Sequence, residues 1–220
     1  MAKKSPRIFF RKRLKELRDY MEEMGKYTLE AYKDSIDVLF NYDEEKIATI
    51  MDINEKVDRM NYLLEQKTMS IIASEQPVAR DLRFIEASIK VGSHFKRMTG
   101  LASNIAEVSK QIKDEKIPET PKKDIEHMAD LVGSMVSKSI TSFLNQDVET
   151  VRELHHDDDE VDDLFDTTLR DITESMFDEK DAIYYMVYLL FVARFLERIA
   201  DRSESIGNRT VFMITCEQPI

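Results

Sequence analysis

The sequence predicts an all-α fold class, and both its composition and its spacing favour that class. Gly and Pro each occur only 5 times, whereas β-sandwiches and barrels need these residues at their many turns. Charged residues make up 34% of the chain, which suits long helices with wide solvated faces. Hydrophobic residues make up 42%, so the chain can also bury a sizeable core.

Apolar spacing and the breakers between apolar stretches define six long helical segments. They are predicted to span 7–40, 44–74, 77–113, 122–144, 148–176 and 180–214. Asp43, Asp147 and Asp178 stand where helix N-caps are expected, because Asp side chains accept hydrogen bonds from free backbone N–H groups. Short loops make neighbouring helices antiparallel, so each set of three segments predicts an antiparallel three-helix bundle.

One longer connection, residues 114–122, divides the chain into two halves. It is polar and contains Pro118 and Pro121, which are disfavoured in helix interiors. We therefore predict an N-terminal three-helix bundle over 7–113 and a C-terminal three-helix bundle over 122–214.

The two halves also resemble each other weakly in sequence. Residues 39–43 align with 143–147, and residues 95–98 align with 196–199. Similarity between successive stretches of this size indicates an internal repeat, so the two bundles are expected to be related.

The charge distribution argues against nucleic acid as a partner. The formal net charge is −11, which would repel a phosphate backbone. Residues 1–18 differ, because they hold eight basic side chains against the single acid Glu16. This start is compatible with proximity to an anionic membrane surface, although a solvated helix start is the simpler interpretation.

Other features favour a cytoplasmic protein. The single Cys216 allows no intramolecular disulfide, which fits a reducing compartment. The longest apolar run, residues 182–193, is shorter than the roughly 20 residues of a membrane span. No secretory leader is recognisable either, so we expect a cytoplasmic location.

Acidic side chains concentrate in the last hairpin, where four of them are predicted to meet. Asp158 and Asp162 are four residues apart, as are Glu197 and Asp201, so each pair shares one helix face. Counted outward from the turn expected near 178–181, Asp162 is level with Glu197, and Asp158 is level with Asp201. Apolar residues continue along the same faces, so these carboxylates are expected to be partly out of water.

Such a cluster is costly unless a cation neutralises it. We therefore predict a metal site formed by Asp158, Asp162, Glu197 and Asp201. All-oxygen ligands suit Mg²⁺, Ca²⁺ or Mn²⁺, and bridged iron or zinc is also compatible. The alternative is a solvated acidic face without metal, because acids four residues apart are common in helices.

The first half has the same spacing with different chemistry. Asn54, Asp58, Lys96 and Gly100 take the equivalent positions, and Asp58 is the one carboxylate among them. We predict that an ion pair between Lys96 and Asp58 replaces the metal there.

Several stretches of the chain resemble motifs of the PhoU family. Residues 196–202 (LERIADR) resemble its E-R-I-G-D motif, and residues 75–83 (EQPVARDLR) resemble its Q-P-x-A-x-D-L-R turn. Residues 21–25 (MEEMG) and 158–162 (DDEVD) resemble its first-helix pattern and its D-x-x-V-D segment. The resemblance covers about residues 14–214.

The resemblance implies two related three-helix bundles, multinuclear metal clusters held by E(D)-x-x-x-D motifs, and dimers or larger assemblies. It also implies an adaptor between the ATPase of a phosphate ABC transporter and a sensor histidine kinase. Such an adaptor restrains phosphate uptake and the phosphate-starvation response when phosphate is plentiful. The implied action is binding, so no enzymatic activity is expected.

The sequence departs from the family at residues 96–100, which replace the acidic motif of the first half, and at Asn54, where an acid is usual. Ala200 replaces the Gly of the motif, which a helix accepts. The first two departures argue against a second metal cluster.

Two other interpretations stay open at this point. Glu153 and His156 form an E-x-x-H pair typical of carboxylate-bridged metalloenzymes, but no second E-x-x-H pair follows. The second open interpretation is a structural helical protein without metal. His155 or His156 is also a candidate peripheral ligand, and the arginines of residues 80–83 suit either a partner contact or a local network.

Overall fold

Six long α-helices form the molecule, in the order that the sequence predicts. The computed structural model describes residues 6–115, 117–178 and 180–217. The helices are α1 (Pro6–Phe40), α2 (Glu44–Glu75), α3 (Ala79–Ile112), α4 (Glu119–Asn145), α5 (Glu149–Asp178) and α6 (Ile183–Thr215). A 3₁₀ turn, Lys180–Ala182, precedes α6. These described ranges contain no β-strand, and the all-α prediction is confirmed.

Two of the three predicted N-caps act as such. Asp43 accepts hydrogen bonds from two backbone N–H groups in the first turn of α2, both at 3.0 Å. Asp147 accepts the backbone N–H of Glu149 at 3.0 Å at the start of α5. Both caps satisfy N–H groups that have no partner within their own helix.

The boundaries of two other helices differ from the prediction. Asp178 does not cap α6, because α5 continues through it, and the 3₁₀ turn places Ala182 at the N-cap position instead. α4 begins at Glu119, three residues before its predicted start, so Pro121 lies in its first turn. A proline is tolerated there, since N–H groups of the first turn have no helical acceptor.

The six helices pack as two antiparallel bundles that share one core. α1 packs on α2 and α3, and α4 packs on α5 and α6. The halves meet where α3 packs against α6 and α1 against α4. Contacts between halves include Tyr32, whose hydroxyl donates to the Ala129 carbonyl at 2.5 Å, and the rings of Phe84 and Phe143, 5.9 Å apart. One cluster of buried apolar residues therefore draws on all six helices.

Arginine side chains hold the two halves together at one end of the molecule. Arg18 donates to the Leu144 carbonyl at 2.7 Å, and Arg83 donates to the Met213 carbonyl at 2.9 Å. Arg80 also donates to a residue of the second half, Gln146. The arginines of the 75–83 motif therefore make contacts between the halves.

Some of the basic side chains among residues 1–18 have partners within the protein. Arg13 donates to the hydroxyls of Ser74 at 2.7 Å and Ser70 at 2.9 Å, which ties α1 to α2. Lys3 and Lys4 lie outside the described residues. None of the described helices has an apolar stretch long enough to cross a membrane.

Candidate metal centre

The structure brings the four predicted carboxylates into one electrostatic cluster on the α5–α6 hairpin. Asp158 and Asp162 lie one turn apart on α5, and Glu197 and Asp201 lie one turn apart on α6. The charge of Asp201 acts on the other three carboxyl groups. The two pairs therefore lie close enough for their charges to interact across the hairpin.

The environment of this cluster favours protonated carboxyl groups. Burial, followed by the charges of Glu204, Asp162 and Asp201, raises the pKa of Asp158 to about 7. Burial and then Asp201 raise the pKa values of Asp162 and Glu197 as well. Partial desolvation and like charges act in the same direction on all three groups.

Glu197 is a partly buried member of the cluster. Its side chain is 13% exposed, and Oε1 pairs with Arg194, which partly offsets the rise in its pKa. Oε2 is buried and accepts no hydrogen bond from any described residue. A buried carboxylate oxygen without a donor is costly, and a cation in the cluster would satisfy it.

Three contacts around the cluster were not predicted from the sequence. Arg194 pairs with Glu197, which lies three residues further along α6, so this contact could have been predicted from the spacing in the sequence. His155 Nδ1 lies 2.7 Å from Glu204 Oε1, which places an imidazole beside the acids of α6.

Lys138 of α4 makes the third contact. Its Nζ lies 2.8 Å from Asp157 Oδ2 and 3.1 Å from Glu153 Oε2. No local pattern relates α4 to α5, so this contact depends on tertiary packing. Lys138 neutralises negative charge on the side of α5 that carries Glu153 and Asp157. It does not pair with Asp158.

The side chains are not gathered into a coordination sphere. Within the described ranges, no three His, Cys, Asp or Glu side chains are arranged so that they could hold a metal ion. The donor chemistry nevertheless fits a hard cation, because all four residues offer carboxylate oxygens and one of these is buried without a donor. Metal binding would require the side chains to turn toward one another.

The first half has the predicted ion pair. Lys96 of α3 forms an ion pair with Asp58 of α2, as predicted. One turn further along, Thr99 Oγ1 donates to Asn54 Oδ1 at 3.1 Å, and Gly100 contributes no side chain. Equivalent positions therefore carry an ion pair in α2–α3 and an acidic cluster, in which Glu197 is paired with Arg194, in α5–α6.

Comparison with known proteins identifies the family. The PhoU domain profile matches residues 21–109 and again residues 125–210.

The chain belongs to the PhoU family.

The two PhoU domain matches correspond to the two halves of the helical repeat. A "Phosphate-specific transport system accessory protein PhoU homolog 1" from Methanothermobacter thermautotrophicus is 57% identical over 219 residues and covers 100% of both chains. A PhoU homolog from Clostridium acetobutylicum is 29% identical over 96% of this chain and 97% of its own length.

Crystal structures of PhoU proteins share the fold. The PhoU of Pseudomonas aeruginosa superimposes with a TM-score of 0.90 at 23% identity, covering 94% of this chain and 100% of its own. The regulatory protein PhoU of Streptococcus pneumoniae gives 0.87 at 23% identity, with 96% and 99% covered. At this identity the likeness establishes the fold, and the predicted PhoU-like bundle architecture is confirmed.

Proposed function

We propose that this PhoU family member is an accessory regulator of phosphate transport. It would act in the cytoplasm as an adaptor between the ATPase of a phosphate ABC transporter and a sensor histidine kinase. In that role it restrains phosphate uptake and the starvation response. Support comes from the 57% identical relative, which is named as an accessory protein of phosphate-specific transport. The proposed action is binding, without an enzymatic step.

Metal binding in the C-terminal half is part of this proposal. Asp158, Asp162, Glu197 and Asp201 would hold one or more divalent or trivalent ions, as a single ion or a multinuclear cluster of Fe, Zn, Mg or Mn. The observation that carries it is the buried Oε2 of Glu197, which has no donor among the described residues and lies in a cluster where the pKa of Asp158 is raised to about 7. A bound cation would neutralise the cluster and hold α5 against α6.

We also propose that the chain forms a homodimer. Ile183, Val187 and Phe191 are exposed apolar side chains spaced four residues apart at the start of α6. Residues at this spacing share one face of a helix, and a second copy would remove them from water. Sedimentation should give a dimer for the parent and a monomer for Val187→Lys/Phe191→Lys. A parent that sediments as a monomer at all concentrations would refute the dimer.

The adaptor role is testable by affinity purification from phosphate-replete cells. The tagged parent should recover the transporter ATPase and a histidine kinase. Glu197→Ala/Asp201→Ala should recover less of both, because it removes two carboxylates of the cluster. The matched control is Asp159→Ala/Glu160→Ala, which removes the same charge from exposed positions of α5.

Two results would contradict the proposal. One is recovery of neither component with the parent protein. The other is turnover of a phosphoester or of O₂ by the metal-loaded protein, which would indicate a carboxylate-bridged metalloenzyme instead.

A further inference from the structure

A groove between α2, α3 and α6 has a basic lining in this acidic protein. Its volume is about 580 Å³, and three arginines, Arg97, Arg198 and Arg202, are among its lining residues. This volume lies within the range of small-molecule sites, roughly 300–1,000 Å³. None of the four carboxylates of the acidic cluster lines this groove.

The three arginines have no carboxylate partner. In the part of the chain that the structure describes, none of their guanidinium groups forms an ion pair with Asp or Glu. Glu107 is the acid that lines the groove, and its Oε1 lies 2.6 Å from Lys110 Nζ. Three unpaired cations in a chain of net charge −11 form a local field that attracts anions.

Neutral hydrogen-bond donors line the same groove. Ser103 is 6% exposed, and its buried Oγ has no hydrogen-bond partner among the described residues. Asn54 Oδ1 accepts the Thr99 hydroxyl at 3.1 Å, which leaves its Nδ2 group to donate elsewhere. A buried hydroxyl without a partner is unfavourable unless a ligand satisfies it.

The internal repeat explains how this groove arose. Asn54 and Gly100 occupy the positions that Asp158 and Asp201 occupy in the second half, so two carboxylates are missing here. A Cβ at Gly100 would meet its nearest heavy atom, Asn54 Oδ1, at 3.9 Å, an ordinary van der Waals distance, so a small side chain can be accommodated here. At these two positions the first half therefore carries no carboxylate that would repel an anion.

We propose that this groove binds a small phosphate-bearing polyanion, such as a nucleotide or a condensed phosphate. Guanidinium groups bind phosphate oxygens through paired N–H donors. The three positive charges exceed the single negative charge of a monocarboxylate. The volume of the groove exceeds that of a single orthophosphate ion. The binding needs no metal, so it is independent of the carboxylate cluster.

His94 offers a spectroscopic reporter of an occupied groove. It lies one turn before Arg97 on α3, and its buried Nδ1 has no hydrogen-bond partner in the described ranges. Burial, followed by the charges of Arg202, Arg97, Arg209 and Lys90, lowers the pKa of His94 to about 4. An anion bound between Arg97 and Arg202 should raise this pKa, because it offsets two of these charges.

Calorimetric titration of the full chain in a chelator tests the proposal. The probes are ATP, tripolyphosphate and orthophosphate, with sulfate at equal ionic strength as the control for non-specific binding. Tighter binding of ATP than of tripolyphosphate would support a nucleotide ligand, and the reverse order would support a condensed phosphate. Binding of all probes no tighter than sulfate would overturn the proposal.

Two sets of variants locate the binding. Arg97→Gln and Arg202→Gln should each weaken it about tenfold, whereas Arg152→Gln, an equal charge change on the exposed face of α5, should leave it within about twofold. Gly100→Asp should abolish binding and Gly100→Asn should retain it, because these side chains match in shape and differ in charge. Melting curves verify that each variant is folded.

The same variants can also refute the proposed site. Equal binding by Arg97→Gln, Arg202→Gln and the parent would place the anion elsewhere and refute the site. Absence of an anion-induced rise in the His94 pKa, followed by NMR of its ring protons, would refute it as well. The metal proposal is unaffected by either result, because the groove and the carboxylate cluster share no lining residue.

Discussion

At Glu197 the two carboxylate oxygens have opposite environments. Oε1 pairs with Arg194, while Oε2 is buried without a donor among the described residues. Asp158 has the related problem of a half-buried charge beside Glu204, Asp162 and Asp201. The carboxylates of this cluster therefore destabilise the folded state while no cation is bound. Removal of one of their negative charges should stabilise the metal-free protein.

Asp158→Asn tests that statement. The folded-state pKa of Asp158, about 7, lies above its ordinary value of 3.8, so the folded state favours the proton and loses stability as pH rises toward and through 7. In a chelator at pH 8, the variant should be more stable than the parent, on the order of 1 kcal/mol after allowance for solvent screening. The advantage should shrink at pH 5.5. Asp159→Asn, at the exposed neighbouring position, is the control for thermal denaturation, and an equal gain there would refute the explanation.

His94 should produce the opposite pH dependence. Its folded-state pKa, about 4, lies below its ordinary value of 6.5, so the unfolded chain binds the proton first and stability falls as pH falls below 6.5. Between pH 7 and pH 5.5 this amounts to about 1 kcal/mol. Denaturant unfolding of His94→Gln should lack this component relative to the parent. Identical pH profiles for the two proteins would contradict the assignment.

At the scale of elements, the α2–α3 and α5–α6 hairpins present the same positions with different side chains. Asp58 pairs with Lys96 in the first hairpin, where Asp162 and Glu197 stand in the second. Helix geometry therefore fixes which side chains face each other, and side-chain identity decides whether the contact is an ion pair or an acidic cluster.

Lys96→Glu/Gly100→Asp should convert the first hairpin into a second acidic cluster. The double variant introduces two carboxylates, one at position 96 facing Asp58 and one at position 100 facing Asn54. We expect it to bind additional metal relative to the parent, measured by elemental analysis after dialysis. Lys96→Gln/Gly100→Asn has nearly the same shape without the charges and should gain none. No additional metal in the acidic variant would contradict the equivalence of the hairpins.

The sequence predicted elements better than it predicted contacts. Helix existence, the antiparallel order and the matched acidic positions depend on local periodicity and short loops, which are readable in one dimension. The N-cap at Asp178 was wrong because α5 continues through that residue and a 3₁₀ turn supplies the junction. Lys138 beside Asp157 and the groove arginines were missed because they depend on packing between helices distant in sequence.

At the scale of the whole molecule, the two halves are joined through α3–α6 and α1–α4. The α1–α4 crossing is close at Gly25, where a Cβ would lie 2.8 Å from Ile140 Cγ2 and 3.4 Å from its Cγ1. The Cγ2 atom of a β-branched side chain moves little without a backbone shift. The absence of a side chain at Gly25 therefore sets how closely the halves approach.

Gly25→Ala and Gly100→Ala should have opposite effects on the free energy of unfolding. Alanine favours a helix over glycine by about 1 kcal/mol, and a Cβ at Gly100 would make only an ordinary van der Waals contact, so Gly100→Ala should stabilise by roughly that amount. At Gly25 the clash with Ile140 should outweigh this gain and destabilise by about 1 kcal/mol. Chemical denaturation of both variants checks the pair, and stabilisation by both would contradict the close approach at α1–α4.

Metal stoichiometry tests most directly the claim that α5 and α6 present opposed carboxylates which require a cation. The chelator-stripped chain is titrated with iron, zinc, manganese and magnesium, and bound metal is measured by elemental analysis. We predict tight binding by the parent, loss of binding in Asp162→Asn/Glu197→Gln, and unchanged binding in Asp163→Asn/Glu160→Gln, which changes exposed acids of α5. A parent that binds none of these metals, or a control that loses metal equally, would contradict the claim.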